Sequence, residues 1–332
     1  MYIRLFVLLL FTIGYLSAAA PARALALNEY PELGAFIDEV SEKHGFSAKA
    51  LRQIFSQAKL RTDILEVIER PREALPWYEY KKSFLTELHV RRGVDYWKRH
   101  AATFERVREQ YGVPPEIIVA VLGVETQYGR NTGRYRVIDA LTTLTVGYPR
   151  RSEFFRRELE EYLLLTRDLG LDPTQVQGSY AGAIGIPQFL SSSYRRYAVD
   201  FDGDSKSDLL SSAADAIASV ANFLKRHGWE ANEPVTDDVQ LEGALYTWIE
   251  QLGVKPVLSI RHLIQYGVFP RGAEQPHDRS AALIVLEGES GPIYRIGYNN
   301  FYVITRYNRS KRYAMAVYEL AQSIRTRYEE EP

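Results

Sequence analysis

Apolar residues recur at spacings of three and four along most of the chain, and this pattern predicts a mainly helical protein. From Pro31 to Tyr111 it marks short helices, with Phe36 and Val40 on one inner face and, after Gly45, Leu51, Ile54, Phe55 and Ala58 on the next. The clearest stripe runs from Val90 to Tyr111 through Val94, Trp97, Ala101, Phe104 and Val107, with Gly112 as its natural stop. Between these helices, the prolines from Pro71 to Lys82 argue against a helix interior. The stretch Pro76-Trp77-Tyr78-Glu79-Tyr80 is therefore expected as an aromatic loop and a candidate wall of a binding site.

Pro114 and Pro115 suit the first turn of another helix, and Gly129 suits its end. Ile117, Val121, Val124 and Tyr128 form its apolar stripe, so Glu125 falls in the last turn beside that stripe and not opposite it. A half-desolvated carboxyl near the negative end of a helix is favoured in its protonated form, as a general acid requires. On this stretch alone, an ordinary solvated helical glutamate is the commoner alternative.

Further on, Ser152 is expected to cap a helix with Phe155, Leu159, Tyr162 and Leu163 inside and Gly170 past its end, with Arg150 and Arg151 at its entrance. Small residues at 181, 182, 183 and 185, within Gly178–Phe189, let the backbone approach either another helix or a ligand. Between helical stretches at 188–198 and 213–227 lies Asp200-Phe-Asp-Gly-Asp-Ser-Lys-Ser-Asp208. Carboxylates at alternate positions on a tight loop follow the logic of an EF-hand Ca²⁺ loop. The match is partial, because Ser205 replaces the expected glycine and Ser211 the expected glutamate, which makes Asp215 the candidate closing ligand. Asp200, Asp202, Asp204 and the Lys206 carbonyl would supply the rest, and a solvated acidic turn is the alternative. From 228 to 297 prolines and short apolar runs, notably Ala281 to Glu287 and Tyr294 to Ile296, predict a small β-containing insertion. Helix returns from Lys311 to Arg325.

Composition narrows the class. A length of 332 residues suffices for two or three domains with a substantial core. With 41 basic and 42 acidic residues there is no net field to recruit nucleic acid, while 23 tyrosines offer faces that suit sugar rings as well as ordinary packing. Met1 to Ala26 reads as a secretory signal: Arg4 leads an apolar core from Leu5 to Leu16, and Ala22-Arg23-Ala24 or Ala24-Leu25-Ala26 forms a cleavage site. The chain has no cysteine, so no disulfide, thiol chemistry or N-terminal lipid anchor is expected of the exported form.

Four blocks then carry a resemblance: Gly123-Val-Glu-Thr-Gln-Tyr-Gly-Arg130, Gly178-Ser-Tyr-Ala-Gly-Ala-Ile-Gly-Ile-Pro-Gln-Phe189, Ala198-Val-Asp-Phe-Asp-Gly-Asp204 with Ala214–Asn222, and Asn299-Asn-Phe-Tyr-Val-Ile-Thr-Arg-Tyr-Asn-Arg-Ser310. In kind and order they resemble the B-type lytic murein transglycosylases, glycoside hydrolase family 103. The resemblance implies a mainly α (α+β) fold with a lysozyme-like helical core, a helical α-domain and a small β-containing insertion. The expected divisions are 1–26 as signal peptide, 27–112 as a helical domain completed by the helix at 311–325, 113–227 as catalytic core with the loop 200–215, 228–297 as insertion, and 298–332 as the return to the core. It implies Glu125 as sole catalytic acid/base, with Ser179, Gln188, Tyr80, Arg150, Arg151, Tyr307 and Tyr313 in a glycan groove. Asp200, Asp202, Asp204, Lys206 and Asp215 would form a structural Ca²⁺ loop, and no cofactor is implied for catalysis. Two departures stand out: the loop before Asp215 is a residue longer than the family pattern, and Phe223 stands where a tyrosine is expected.

The implied reaction is cleavage of the β-1,4 bond between N-acetylmuramic acid and N-acetylglucosamine, closing a 1,6-anhydro ring. One carboxylate can serve where glycosidases ordinarily pair two, because the sugar's own groups take the second role. Peptidoglycan strands are the implied partner, with cell-wall synthesis or remodelling proteins beside them, and the periplasm is the implied location. A hydrolytic muramidase on the same fold, and a non-catalytic glycan- or calcium-binding scaffold, are the rival readings.

Overall fold

The computed structural model describes residues 23–69, 74–272 and 276–331, so positions 1–22 of the signal peptide expected at 1–26 lie outside the described residues. Where the description begins, Arg23–Ala24 pairs antiparallel with Lys59–Leu60, and the Leu25 amide donates to the Ala58 carbonyl. The fold is mainly helical, as the apolar spacing predicts, with a five-stranded antiparallel sheet and two short two-stranded pairings among the described residues.

The first helices, Pro31–His44, Ala48–Ser56 and Thr62–Ile68, bury the expected Phe36, Val40, Leu51 and Phe55. Pro76 does not keep its neighbours out of a helix. Its extended ψ of 154° lets it serve as N-cap to a single turn, Trp77–Tyr80, so the expected aromatic loop is a buried helical turn. The stripe from Val90 to Tyr111 is two helices, Glu87–Arg99 and Ala101–Tyr111, because His100 leaves helical geometry at φ −114° and ψ 23°. Thr86 caps the first, accepting from the His89 amide, and Gly112 ends the second at φ 70°.

Pro115–Thr126 is the central element, buried from Pro115 through Gly123. Around it pack Glu87–Arg99, Ala213–Arg226 and the long C-terminal helix Lys311–Glu330. Val137–Gly147, which the sequence does not announce, packs against Ser152–Asp168 and is buried from Val137 to Thr145. Ser152 is not a cap. It is the first helical residue, and its hydroxyl donates to the Thr145 carbonyl, tying the two helices together.

The strands expected near 281–287 and 294–296 are Ser280–Gly288 and Gly291–Gly297, a hairpin in register from Ala282–Gly297 to Gly288–Gly291. Leu258–Ser259 extends one side of the hairpin, and Thr236–Leu241 followed by Val268–Pro270 the other, completing five antiparallel strands. The sheet has its own apolar cluster around Leu263, Val268, Leu283 and Ile296. Its two ends meet: the Tyr298 amide donates to the Val235 carbonyl, and the Asn300 side chain bonds the backbone of Glu230 and Glu233.

Candidate active site

The helix that carries Glu125 ends three residues before Gly129. Thr126 is its last residue, and Gln127, Tyr128 and Gly129 follow in the left-handed region at φ 50°, 65° and 82°. A side chain in that region is strained, so packing must hold the turn. Thr126 supplies part of that hold: its hydroxyl donates to the Ile186 carbonyl at 2.8 Å and accepts from the Gly129 amide at 2.9 Å. Tyr128 supplies the rest, with its ring buried and its hydroxyl donating to the His89 carbonyl at 2.8 Å. A Cβ on Gly123 would meet that ring at 2.7–2.9 Å, so the glycine one turn before the strained residues is there to admit it.

Glu125 itself is half-buried, and its Oε1 accepts a hydrogen bond from the Tyr313 hydroxyl at 2.6 Å. Tyr313 comes from the C-terminal helix, where Ser310 accepts from its amide as N-cap. Burial, and then the charge of Glu125, push the Tyr313 phenol well above its ordinary 10, so it remains a donor. Tyr307 is pushed up for the same two reasons, and its hydroxyl donates to the Pro187 carbonyl at 2.5 Å. The two rings lie nearly parallel, 6.3 Å apart.

The block from Gly178 to Phe189 folds back on itself through backbone pairs of Ile184 with Gly178 and Phe189. Its glycines admit protein, since a Cβ on Gly182 would strike Leu141 at 2.4 Å and one on Gly185 the Leu209 carbonyl at 2.3 Å, whereas Ala181 and Ala183 face the cleft described below. Ser179 Oγ accepts from the Ala183 amide at 3.0 Å, and Gln188, at φ 53°, donates from Nε2 to the Thr132 and Gly185 carbonyls. The side chains thus brace the wall that presents them.

That wall belongs to an open cleft of about 900 Å³ lined by Glu125, Arg151, Ser179, Gln188 and Tyr307, five of the residues expected in the site. Tyr80, Tyr313 and Arg150 do not line it. Tyr313 lies behind Glu125, and Tyr80, buried against Trp77 and Phe84, lies close enough to raise the Tyr313 phenol further. Phe223 takes its place in the cleft, edge-on to Tyr307 at 4.8 Å. Arg196, His227, Arg306 and Arg309 also line the cleft and were not singled out from the sequence, although Arg306 and Arg309 flank Tyr307 in a block that was. Glu125 is the one carboxylate among the described lining residues.

On the loop, Asp200, Asp202 and Asp204 are exposed and present carboxylate oxygens within 4.8 Å of one another. Gly203 and Ser205, at φ 84° and 73°, make the tight turn, and both amides donate to Asp200. Asp215 is placed otherwise than expected: it is buried beneath the loop, outside that group, and accepts from the amides of Phe201, Asp202 and Asp208. The Lys206 amide donates to Asp204.

The sequence pattern of the family described as "Transglycosylase SLT domain" matches residues 28–322. Over 304 residues the chain is 41% identical to the membrane-bound lytic murein transglycosylase B of Escherichia coli strain K12, covering 89% of this chain and 82% of that protein. It superposes on the crystal structure of the soluble lytic transglycosylase SltB1 from Pseudomonas aeruginosa with a TM-score of 0.84 and 44% identity, covering 90% of this chain and 99% of that one. On the E. coli lytic transglycosylase Slt35, solved in complex with calcium, it superposes with a TM-score of 0.85 and 40% identity, covering 93% and 97%. With both sequence and fold matched across nearly its whole described length, the chain belongs to the transglycosylase SLT domain family.

Proposed function

We propose that this protein is a lytic transglycosylase that cleaves the β-1,4 bond between N-acetylmuramic acid and N-acetylglucosamine in peptidoglycan, leaving 1,6-anhydromuramic ends. The observation that carries the reading is that, among the described residues, Glu125 is the single carboxylate in a cleft otherwise lined by neutral and basic groups. Paired-carboxylate hydrolysis needs a second acid across the bond, to attack or to activate water. In the proposed sequence the Glu125 carboxyl gives its proton to the glycosidic oxygen as the C1–O bond breaks, and the muramic N-acetyl oxygen shields C1. The Glu125 carboxylate then takes the proton of the muramic 6-hydroxyl as O6 bonds to C1, which restores the acid without water. Tyr313, kept protonated, holds one carboxyl oxygen and steadies the charge that develops on it. Ser179, Gln188, Arg151 and Tyr307 position the strand.

The divisions expected at residues 112, 227 and 297 are kept in this reading, with the central helix in the middle segment and the cleft lined from that segment and from the returning one through Arg306, Tyr307 and Arg309. Export to the periplasm, where the substrate lies, follows from the leader composition; among the described residues no helix is long and apolar enough to cross a membrane. The acidic loop is proposed as a structural Ca²⁺ site, with hard oxygen donors from Asp200, Asp202 and Asp204 and the Lys206 carbonyl as the next donor. Asp215 would brace that loop through its three amide bonds. A bound ion would stiffen the loop and take no part in the chemistry.

Digestion of purified peptidoglycan followed by mass spectrometry tests the central reading. Products one water lighter than hydrolysis products, and their loss in a folded Glu125→Gln protein, are expected. Reducing-end products would make the protein a muramidase, and full activity of Glu125→Gln would remove Glu125 from the chemistry.

A further inference from the structure

Some arginines of this protein neutralise acids. Arg195 holds Glu161 and Asp168, and Arg312 holds Glu287. Their near neighbours in sequence, Arg196 and Arg309, turn into the cleft with Arg151 and Arg306, and among the described residues none of these four forms an ion pair. Arg196 comes from Ser191–Tyr197 and Arg306 from Asn299–Tyr307, yet both act on the same group, His227. Burial pushes that imidazole below 6.5, a bond to the Phe223 carbonyl opposes the shift, and Arg306 and Arg196 add to it. The guanidinium groups lie over the rings of Tyr302 and Tyr197, at 5.7 and 5.4 Å, which support cations without neutralising them. Two guanidinium groups from separate helices thus line one wall of a cleft whose only described carboxylate is Glu125, an arrangement that favours an anion there.

We infer that this part of the cleft is a carboxylate-binding subsite for the acidic groups attached to muramic acid, with Arg196 and Arg306 as its principal donors. The inference rests on the cleft being the glycan groove proposed above. A polymer of N-acetylglucosamine alone has the same β-1,4 backbone and no carboxylate, so the subsite would separate peptidoglycan from neutral chitin-like strands. Guanidinium suits the task because its planar fork meets both oxygens of a carboxylate. The carboxylate has two sources: the lactyl acid exposed when the stem peptide is absent, and the acidic groups of the stem peptide itself.

The test uses the full chain carrying Glu125→Gln, so that ligand is bound and not cut, and calorimetry with three oligosaccharides of equal length. One bears stem peptides, one bears free lactyl acids, and one is neutral N-acetylglucosamine. Adding Arg196→Gln and Arg306→Gln together is expected to weaken binding of an acidic ligand by about ten-fold or more at low salt, with the gap closing as salt rises. Neutral-ligand affinity should change by less than about two-fold, and melting temperature should not fall, since no protein contact of opposite charge is lost. Loss confined to the stem-bearing ligand assigns the subsite to the peptide, and loss confined to the peptide-free acid assigns it to the lactyl group. Equal loss on neutral and acidic ligands, or loss on none, overturns the inference while leaving the glycan groove standing. If the Glu125→Gln parent binds no strand and the unmodified protein releases no peptidoglycan fragments, both fall together.

Discussion

Replacing Tyr313 with Phe removes one oxygen atom and keeps the ring that fills the space behind Glu125. The lost bond is short, 2.6 Å, and its donor stays protonated, because burial and the Glu125 charge hold the phenol well above 10. As the general acid releases its proton, the carboxyl becomes a carboxylate and the phenol's bond strengthens, so it stabilises the transition state more than the bound substrate. A hydrogen bond to a charged group contributes about 1.5–3 kcal/mol, which corresponds to a fall in kcat of about 13- to 160-fold with KM little changed. Tyr307→Phe is the built-in comparison, since its hydroxyl meets a neutral carbonyl, that of Pro187. That bond contributes about 0.5–1.5 kcal/mol, and the rate should fall by only about 2- to 13-fold. Initial rates of fragment release from purified peptidoglycan, with melting temperatures to confirm folding, measure both. A Tyr313→Phe protein within two-fold of the parent, or one less impaired than Tyr307→Phe, would refute the role given to this bond.

Two predictions concern stability. If the acidic loop takes Ca²⁺, free calcium at about 100 times Kd should stabilise the fold by about 2.7 kcal/mol, seen as a rise in melting temperature that chelator reverses and that Asp200→Asn with Asp202→Asn abolishes. No rise across a calcium titration would return the loop to an acidic turn. Glu116, in the first turn of the central helix, is buried, and burial pushes its carboxyl above 4.5 despite Arg325 at 3.5 Å. The folded state then binds more proton than the unfolded chain between 4.5 and the raised value, so this group lowers stability as pH rises through that window. Glu116→Gln should therefore raise the melting temperature more at neutral pH than at pH 4, and an equal change at both would show that the burial penalty is not felt.

The sequence shows an element clearly where local chemistry and tertiary packing agree. Pro114 and Pro115 open the central helix because their missing amides cost nothing there, and the apolar stripe beside Glu125 reads directly as its buried face. Val137–Gly147 was invisible for the opposite reason: it is buried on nearly every side, so no polar face beats at the helical period, and its threonines and valines favour strands. His100 breaks a helix without disturbing the spacing of Phe104 and Val107, so periodicity could not reveal the break. Within the site, Glu125 and the residues of the Gly178–Phe189 block were legible, whereas the placement of Tyr313 behind the carboxyl depends on which face of a remote helix turns inward. The cleft arginines were harder still. Arg195 and Arg196 are indistinguishable as letters, and only the fold decides that one meets two carboxylates and the other none.

The bond from Tyr313 to Glu125 joins positions 188 residues apart. The helix that carries the phenol, Lys311–Glu330, is the last element of the described chain, and it docks on the central helix only after everything between them has been made. A chain cut short anywhere before this helix holds its glutamate without the group that steadies it. The carboxyl thus gains its phenol donor late, only once the chain has been made through Tyr313 and this helix has docked, so the site is completed by long-range packing and not by the helix that carries the glutamate.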